Sequence, residues 1–155
     1  MAKVYLSGSV KNVRALYGSH LKQVYQNVKI HQWLKELVEI LWDGYKIADP
    51  HVAVELTNYH PSLIGSSTEA VFATNVTYDD IEAVVLEEYG YFSWDDVKDA
   101  GSFNPVFEKA VNLSLSGEVE PLQALLAKYP NLVGDKSSFG HKASLVQYLA
   151  ANGVE

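Results

Sequence analysis

Residues 77–101 read TYDDIEAVVLEEYGYFSWDDVKDAG, and this stretch decides the fold. Thr77 is followed three residues later by Asp80, and Ser93 by Asp96. That spacing suits a helix cap: the hydroxyl accepts from an early backbone N–H, while the acid reaches back and opposes the positive end of the helix. Gly90 and Gly101 stand where a left-handed residue closes each helix. The spacing predicts two successive helices, roughly from Tyr78 to Tyr89 and from Trp94 to Ala100.

The same punctuation continues on both sides. Downstream, Asn104-Pro105 starts a helix carrying Val106, Phe107, Ala110, Val111 and Leu115, which Gly117 ends. A short turn leads to Leu122, Leu125 and Leu126, closed by Lys128 and Pro130. Residues 131–142 are expected to be a loop, and Ala143 to Ala151 a last helix before Asn152-Gly153. Upstream, Asp49-Pro50 is a start signal and His60-Pro61 a stop. Val52, Val54 and Leu56 alternate as in a strand, but Ala53, Glu55 and the Asp-Pro start favour helix. Ile30, Trp33, Leu34, Leu37, Val38, Leu41 and Trp42 recur at offsets of three and four, a wide apolar stripe on a helix that Gly44 can end. The two tryptophans read as core residues. Ser9 can cap a first helix with Val10, Val13, Leu16 and Tyr17. Gly18-Ser19 either breaks that helix or sits inside a longer one running on through Leu21, Val24, Tyr25 and Val28. No period-two run survives a competing helical reading, so an all-α fold without a significant sheet is predicted.

The bulk properties agree with a folded core. The chain has 155 residues, 48% hydrophobic and 20% charged, enough for one compact unit. Cysteine is absent, which excludes disulfides and thiolate metal sites and fits a reducing, cytoplasmic setting. Residues 1–10 hold no apolar run of signal-peptide length, and nothing approaches the roughly 20 apolar residues of a membrane span. The net charge of −7 is unevenly placed: residues 1–48 hold seven basic groups against three acids, and residues 49–155 five against sixteen. Three segments follow: a basic amphipathic one (1–48), an acidic module of capped helices (49–102) and the remainder (103–155), expected to form one continuous unit. The basic segment most simply packs beside the acidic one. Seven basic groups spread over 48 residues form no dense cluster, which disfavours nucleic acid as a partner.

The run AVNLSLSGEVEPLQALL at 110–126 resembles the helix–turn–helix half of an ankyrin repeat, and Pro130-Asn131-Leu132-Val133 resembles its exit. SLVQYLAANG at 144–153 resembles the first helix and the Asn-Gly turn of the next repeat. Gly117 and Gly153 lie 36 residues apart, near the roughly 33-residue ankyrin period. The family's Thr-Pro-Leu-His stands here as Ser144, Leu145, Val146 and Gln147, so the second unit is a degenerate repeat. Residues 77–98 are similar to a helical module found ahead of ankyrin repeats in uncharacterised bacterial proteins, and His60-Pro61-Ser62-Leu63 fits the same module. The resemblance implies a helical bundle leading into an ankyrin-like solenoid. It also implies a second helix beyond Gly153 to cover Leu145, Tyr148 and Leu149, supplied by a longer chain or by another protein.

Catalytic signatures are missing from the pattern. His20, His31, His51, His60 and His141 show no zinc-protease spacing, no EF-hand loop is present, and no nucleophile elbow or phosphate-cradling loop can be read. The pairs Asp79-Asp80, Glu87-Glu88 and Asp95-Asp96 could serve as acid/base couples, but capping and solvated faces explain them more simply. No metal or cofactor is expected. The first expectation is a non-catalytic scaffold that binds another protein. If the ankyrin resemblance holds, the contact loop precedes the last helix and offers Asp135, Lys136, Phe139, His141 and Lys142. Phe139, an aromatic flanked by charges, would be the interface anchor, but packing under the loop is the favoured reading of it, because aromatics are mostly buried. The alternative is a small-ligand or enzymatic pocket between the N-terminal and middle helices.

Overall fold

Seven positions of one helix carry the core. The computed structural model describes residues 8–152, and in it α2 (Ile30–Lys46) turns Ile30, Trp33, Leu34, Leu37, Val38, Leu41 and Gly44 away from solvent. Around it lie α1 (Gly8–Tyr17), α3 (Pro50–Tyr59), α5 (Tyr78–Glu88) and α6 (Trp94–Lys98), all packed against α2. A short α4 (Thr68–Ala73) covers α3. Then follow α7 (Pro105–Leu115), α8 (Val119–Lys128) and α9 (Leu145–Asn152), with 3-10 turns at Gly18–Tyr25 and Pro130–Val133. The described residues form no sheet. One antiparallel bridge joins Lys29 to Ser102, where the Ile30 N–H donates to the Gly101 carbonyl (3.0 Å) and the Phe103 N–H to the Val28 carbonyl (3.1 Å). The fold is all-α.

The caps act as their residue types require. Thr77 and Asp80 form a reciprocal capping box on α5, and the Ser93 hydroxyl accepts from the Asp96 N–H on α6. Asn104 accepts from Val106 and Phe107 at the start of α7, ahead of Pro105, and Asp49 accepts from His51 ahead of α3. Gly90 (φ 75°) closes α5 in a Schellman motif: its N–H donates to the Glu87 carbonyl and the Tyr91 N–H to the Leu86 carbonyl. Gly117 (φ 67°) does the same for α7 through Ser114 and Leu113, which reverses the chain into α8.

Three expectations change and one open alternative, at Gly18, is decided. Gly44 does not end α2, which runs two residues further. A Cβ on Gly44 would stand 2.6 Å from Val52 Cγ2, so this glycine lets α3 approach, and the left-handed closing residue is Ala48 (φ 56°). Gly18 (φ 52°) ends α1, and the segment after it is a 3-10 turn rather than a continued α-helix. Helix α1 already includes Gly8, so Ser9 lies within it instead of capping it. Residues 68–73, unassigned from sequence, form α4 under a Ser67 cap. The expected turn at Gly153 lies outside the described residues.

Two apolar clusters result. The larger spans α1 to α6 together with Phe103 and Phe139, so residues 8–48 and 49–102 share one core. The smaller joins Phe107, Ala110, Val111, Leu132 and Leu145. The loop before α9 is drawn onto the larger cluster by a backbone contact between two glycines. A Cβ on Gly140 would lie 2.1 Å from the Gly90 carbonyl oxygen, and one on Gly90 would lie 2.5 Å from the His141 nitrogen. Neither obstacle is a flexible side chain. Gly140→Ala should therefore destabilise the fold by about 1–3 kcal/mol, as overpacking does. Gly134→Ala, whose nearest neighbour would be 3.7 Å away, should change little. Denaturant midpoints of the two variants check the contrast.

Candidate functional site

The loop proposed from sequence as the contact face is held from beneath. Phe139 is only 7% exposed. Its ring lies 4.7 Å from Tyr89, 5.3 Å from Phe103 and 5.6 Å from Trp33. Its interface role is therefore corrected: the side chain is core, and the neighbouring charges reflect how briefly the chain dips inward. The Ser137 hydroxyl accepts from the Phe139 N–H, and the Tyr91 hydroxyl donates to the Ser138 carbonyl. His141 sits between Phe139 (5.7 Å) and Tyr148 (5.8 Å), with Nδ1 accepting from the Ala143 N–H. Partial burial, helped by the neighbouring Lys142 charge, lowers its pKa. Lys142 donates to the Ser138 carbonyl across a left-handed turn. Lys136 is exposed and Asp135 half-buried. The five residues share a loop, but Phe139 is unavailable to a partner.

Beyond the loop, α9 starts with a reciprocal cap that the sequence comparison only half anticipated. The Ser144 N–H donates to the Gln147 side-chain oxygen (2.8 Å), and the Gln147 N–H donates to the Ser144 hydroxyl (3.3 Å).

An apolar groove lies elsewhere, on the α7–α8 hairpin. Helix α7 spends its inward face on Phe107, Glu108, Ala110, Val111 and Ser114. Helix α8 has no fully buried residue and reaches the small cluster only through Leu122, Leu125 and Leu126. Between the two helices runs a groove of about 750 Å³, floored by Val106, Leu113, Ala124 and Leu125. Tyr25 and Tyr129, both substantially exposed, stand along it, and Lys109 and Lys128 supply positive charge. Lys128 Nζ lies 5.2 Å from the centre of the Tyr129 ring, which holds both side chains at the rim. Val119, 58% exposed, extends the apolar surface of α8. Sequence reading missed this face because an apolar stripe reveals which residues favour burial and not whether a partner helix exists. The narrowness of the α8 stripe was the available signal.

The cleft on the middle helices, about 550 Å³, is lined by Asn58, Tyr59, His60, Asp80, Val84 and Glu87 among others, all from residues 49–102. It therefore does not lie between the N-terminal and middle helices as the alternative reading required. Its titratable pair is occupied structurally: His60 Nδ1 accepts from the Ser62 N–H, Nε2 stands 3.8 Å from Asp80, and Asp80 closes the α5 capping box. Those bonds to Thr77 lower the Asp80 pKa. Among the described residues no group of three His, Asp or Glu side chains could hold a metal ion. One acidic pair departs from expectation. Glu87 is exposed, but Glu88 Oε2 is buried, so this pair does not lie on a solvated face.

No protein family, curated protein or solved structure matches the chain.

Truncating Phe139 removes a ring touching four other aromatic side chains. Phe139→Ala should cost roughly 3–5 kcal/mol of stability, whereas Lys142→Ala, at an exposed site, should cost under about 1 kcal/mol. Equal unfolding midpoints for the two variants would return Phe139 to the surface.

Proposed function

We propose that the chain is a non-catalytic, ankyrin-like helical scaffold for protein–protein interaction, and that its contact surface is the groove on α7–α8. The observation that carries this reading is a helix, α8, whose apolar side chains find only part of their cover within the chain. Soluble domains seldom leave a contiguous apolar channel rimmed by tyrosine and lysine without a use for it. Tyrosines lose little conformational freedom on binding, which suits them to interfaces. The ankyrin-like reading is supported by a short helix pair reversed at Gly117, a 3-10 exit at Pro130–Val133, and a following helix opened by the Ser144–Gln147 box. A chain without cysteine suits the cytoplasm, where we place it. No described helix is long and apolar enough to cross a membrane.

The groove's chemistry defines its partner. Apolar walls with Lys109 and Lys128 along them favour an amphipathic segment whose hydrophobic residues recur at three- and four-residue intervals and whose edge carries Asp or Glu. Selection from a displayed library of helical peptides should enrich that pattern. Ala124→Glu fills and charges the groove, and Lys109→Glu with Lys128→Glu reverses its rim; each change should weaken the selected peptides at least about tenfold, or ~1.4 kcal/mol. Both sites face solvent, so the circular dichroism of the variants should stay native. Peptides that bind all variants equally would place the contact surface elsewhere.

A further inference from the structure

A group of acidic and phenolic side chains meets inside the larger core, and among the described residues no cation joins it. Glu55 on α3 is 1% exposed, and its Oε2 has no hydrogen-bond partner. Glu88 at the end of α5 likewise buries an unpartnered Oε2, and Tyr17 at the end of α1 an unpartnered hydroxyl. The Glu88 carboxyl is hydrogen-bonded to Tyr89, Glu55 acts on Glu88, and both carboxyls act on Tyr17, Tyr59 and Tyr89, so the five groups share one region. Three helices are joined there: α3 packs against α1 and α5.

The cations nearby are committed elsewhere. Helix α2 turns only apolar residues and Gly44 inward; its Lys35 pairs with Glu82 and its Lys46 with Asp43. On α1, Lys11 and Arg14 are exposed. Helix α4 buries Val71 and leaves Glu69 in solvent. On α3, His51 Nδ1 bonds to Asn12 Oδ1, and His60, at its C-terminal end, faces Asp80. His20 bonds to the Trp33 carbonyl and faces Glu36, while the His141 ring lies between Phe139 and Tyr148. On α5, Glu87 is exposed.

Two neighbouring carboxylates in a dry interior without a counter-charge cannot both ionise without large cost. We propose that Glu55 and Glu88 form a proton-held latch, which locks α3 onto α5 and α1 while the pair keeps its protons and loosens that packing as the protons leave. Burial, strengthened for Glu88 by the charge of Glu55 and only partly offset by its hydrogen bond with Tyr89, pushes the Glu55 carboxyl up to about 7 and the Glu88 carboxyl up to about 8, and the two titrate as a pair. In the unfolded chain both return to the ordinary range near 4.5. The folded state therefore holds more protons than the unfolded state between those limits. Its stability is full below the unfolded value and falls as pH rises through the folded values. This is opposite to the usual behaviour of salt-bridged carboxylates.

Thermal unfolding from about pH 5 to pH 9 tests the latch. The wild-type midpoint should fall by roughly 10 °C over that range. The double variant Glu55→Gln/Glu88→Gln should lose more than half of that fall. Glu108→Gln supplies the comparison, because Glu108 is also buried without a cation, pushed up to about 7, but lies on α7 outside the cluster; it should remove less than half. A flat wild-type profile, or an undiminished fall in the double variant, would overturn the proposal. If the double variant does not fold, carbon-13 titration of glutamate side chains in the wild-type chain decides. Two coupled carboxyls with midpoints near 7 and 8 support the latch, and ordinary midpoints at Glu55 and Glu88 refute it.

Discussion

The ring of Trp33 is the point on which the rest of the structure depends. Its partners come from four separate parts of the chain: His20 from the 3-10 turn, Tyr89 from the end of α5, Phe103 from the approach to α7, and Phe139 from the loop before α9. The indole N–H donates to the His20 carbonyl, and His20 Nε2 bonds in turn to the Trp33 carbonyl, so burying this polar edge leaves nothing unsatisfied. Each aromatic pair adds about 0.5–1.5 kcal/mol beyond the area it buries. The larger effect is positional. Phe103 and Phe139 bracket α7 and α8 in sequence, so fixing both rings on Trp33 fixes where the hairpin leaves the bundle and where the chain returns to it.

That arrangement explains why the groove is open. Helix α7 is held on one side by the 3-10 turn at Gly18–Tyr25 and on another by α9. Helix α8 packs chiefly against α7 and the short 3-10 turn after it. Lysine stems and a tyrosine ring then lie along the uncovered strip, where long amphipathic side chains can shield apolar surface while keeping their charges wet.

Much of the fold was legible because helix boundaries are written in local chemistry. Thr77, Ser93, Asn104 and Asp49 each act as caps where the sequence placed them, and Gly90, Gly101 and Gly117 all have the left-handed backbone expected of closing residues. Gly44 misled for a physical reason: a glycine can spare a clash as readily as it can accept a positive φ, and only the neighbour, Val52, distinguishes the two uses. Phe139 was legible only in part, for the same kind of reason. Its charged neighbours Lys136 and Lys142 are exposed, but a loop residue bordered by Gly140 can turn its ring into the core while the chain on either side stays wet. Contacts between segments distant in sequence decide both cases, and no local pattern records them.

The buried carboxyls are a different kind of miss, because their signal was present. Val52, Glu55, Leu56 and Tyr59 follow the helical offsets of three, four and seven, and so do Ile81, Val84, Val85 and Glu88. In each helix an acid occupies a place on the stripe that otherwise goes to an apolar residue. Reading Glu as solvated by default overrode the periodicity that placed it inside. Periodicity deserves the greater weight, since backbone geometry fixes which face a side chain leaves from, whereas a carboxyl can meet burial by keeping its proton. Two stripes interrupted by glutamate, on helices that pack together, therefore point to a core that holds protons at neutral pH. Only the fold shows that the two interruptions act on each other and that, among the described residues, no lysine, arginine or histidine has come to meet them.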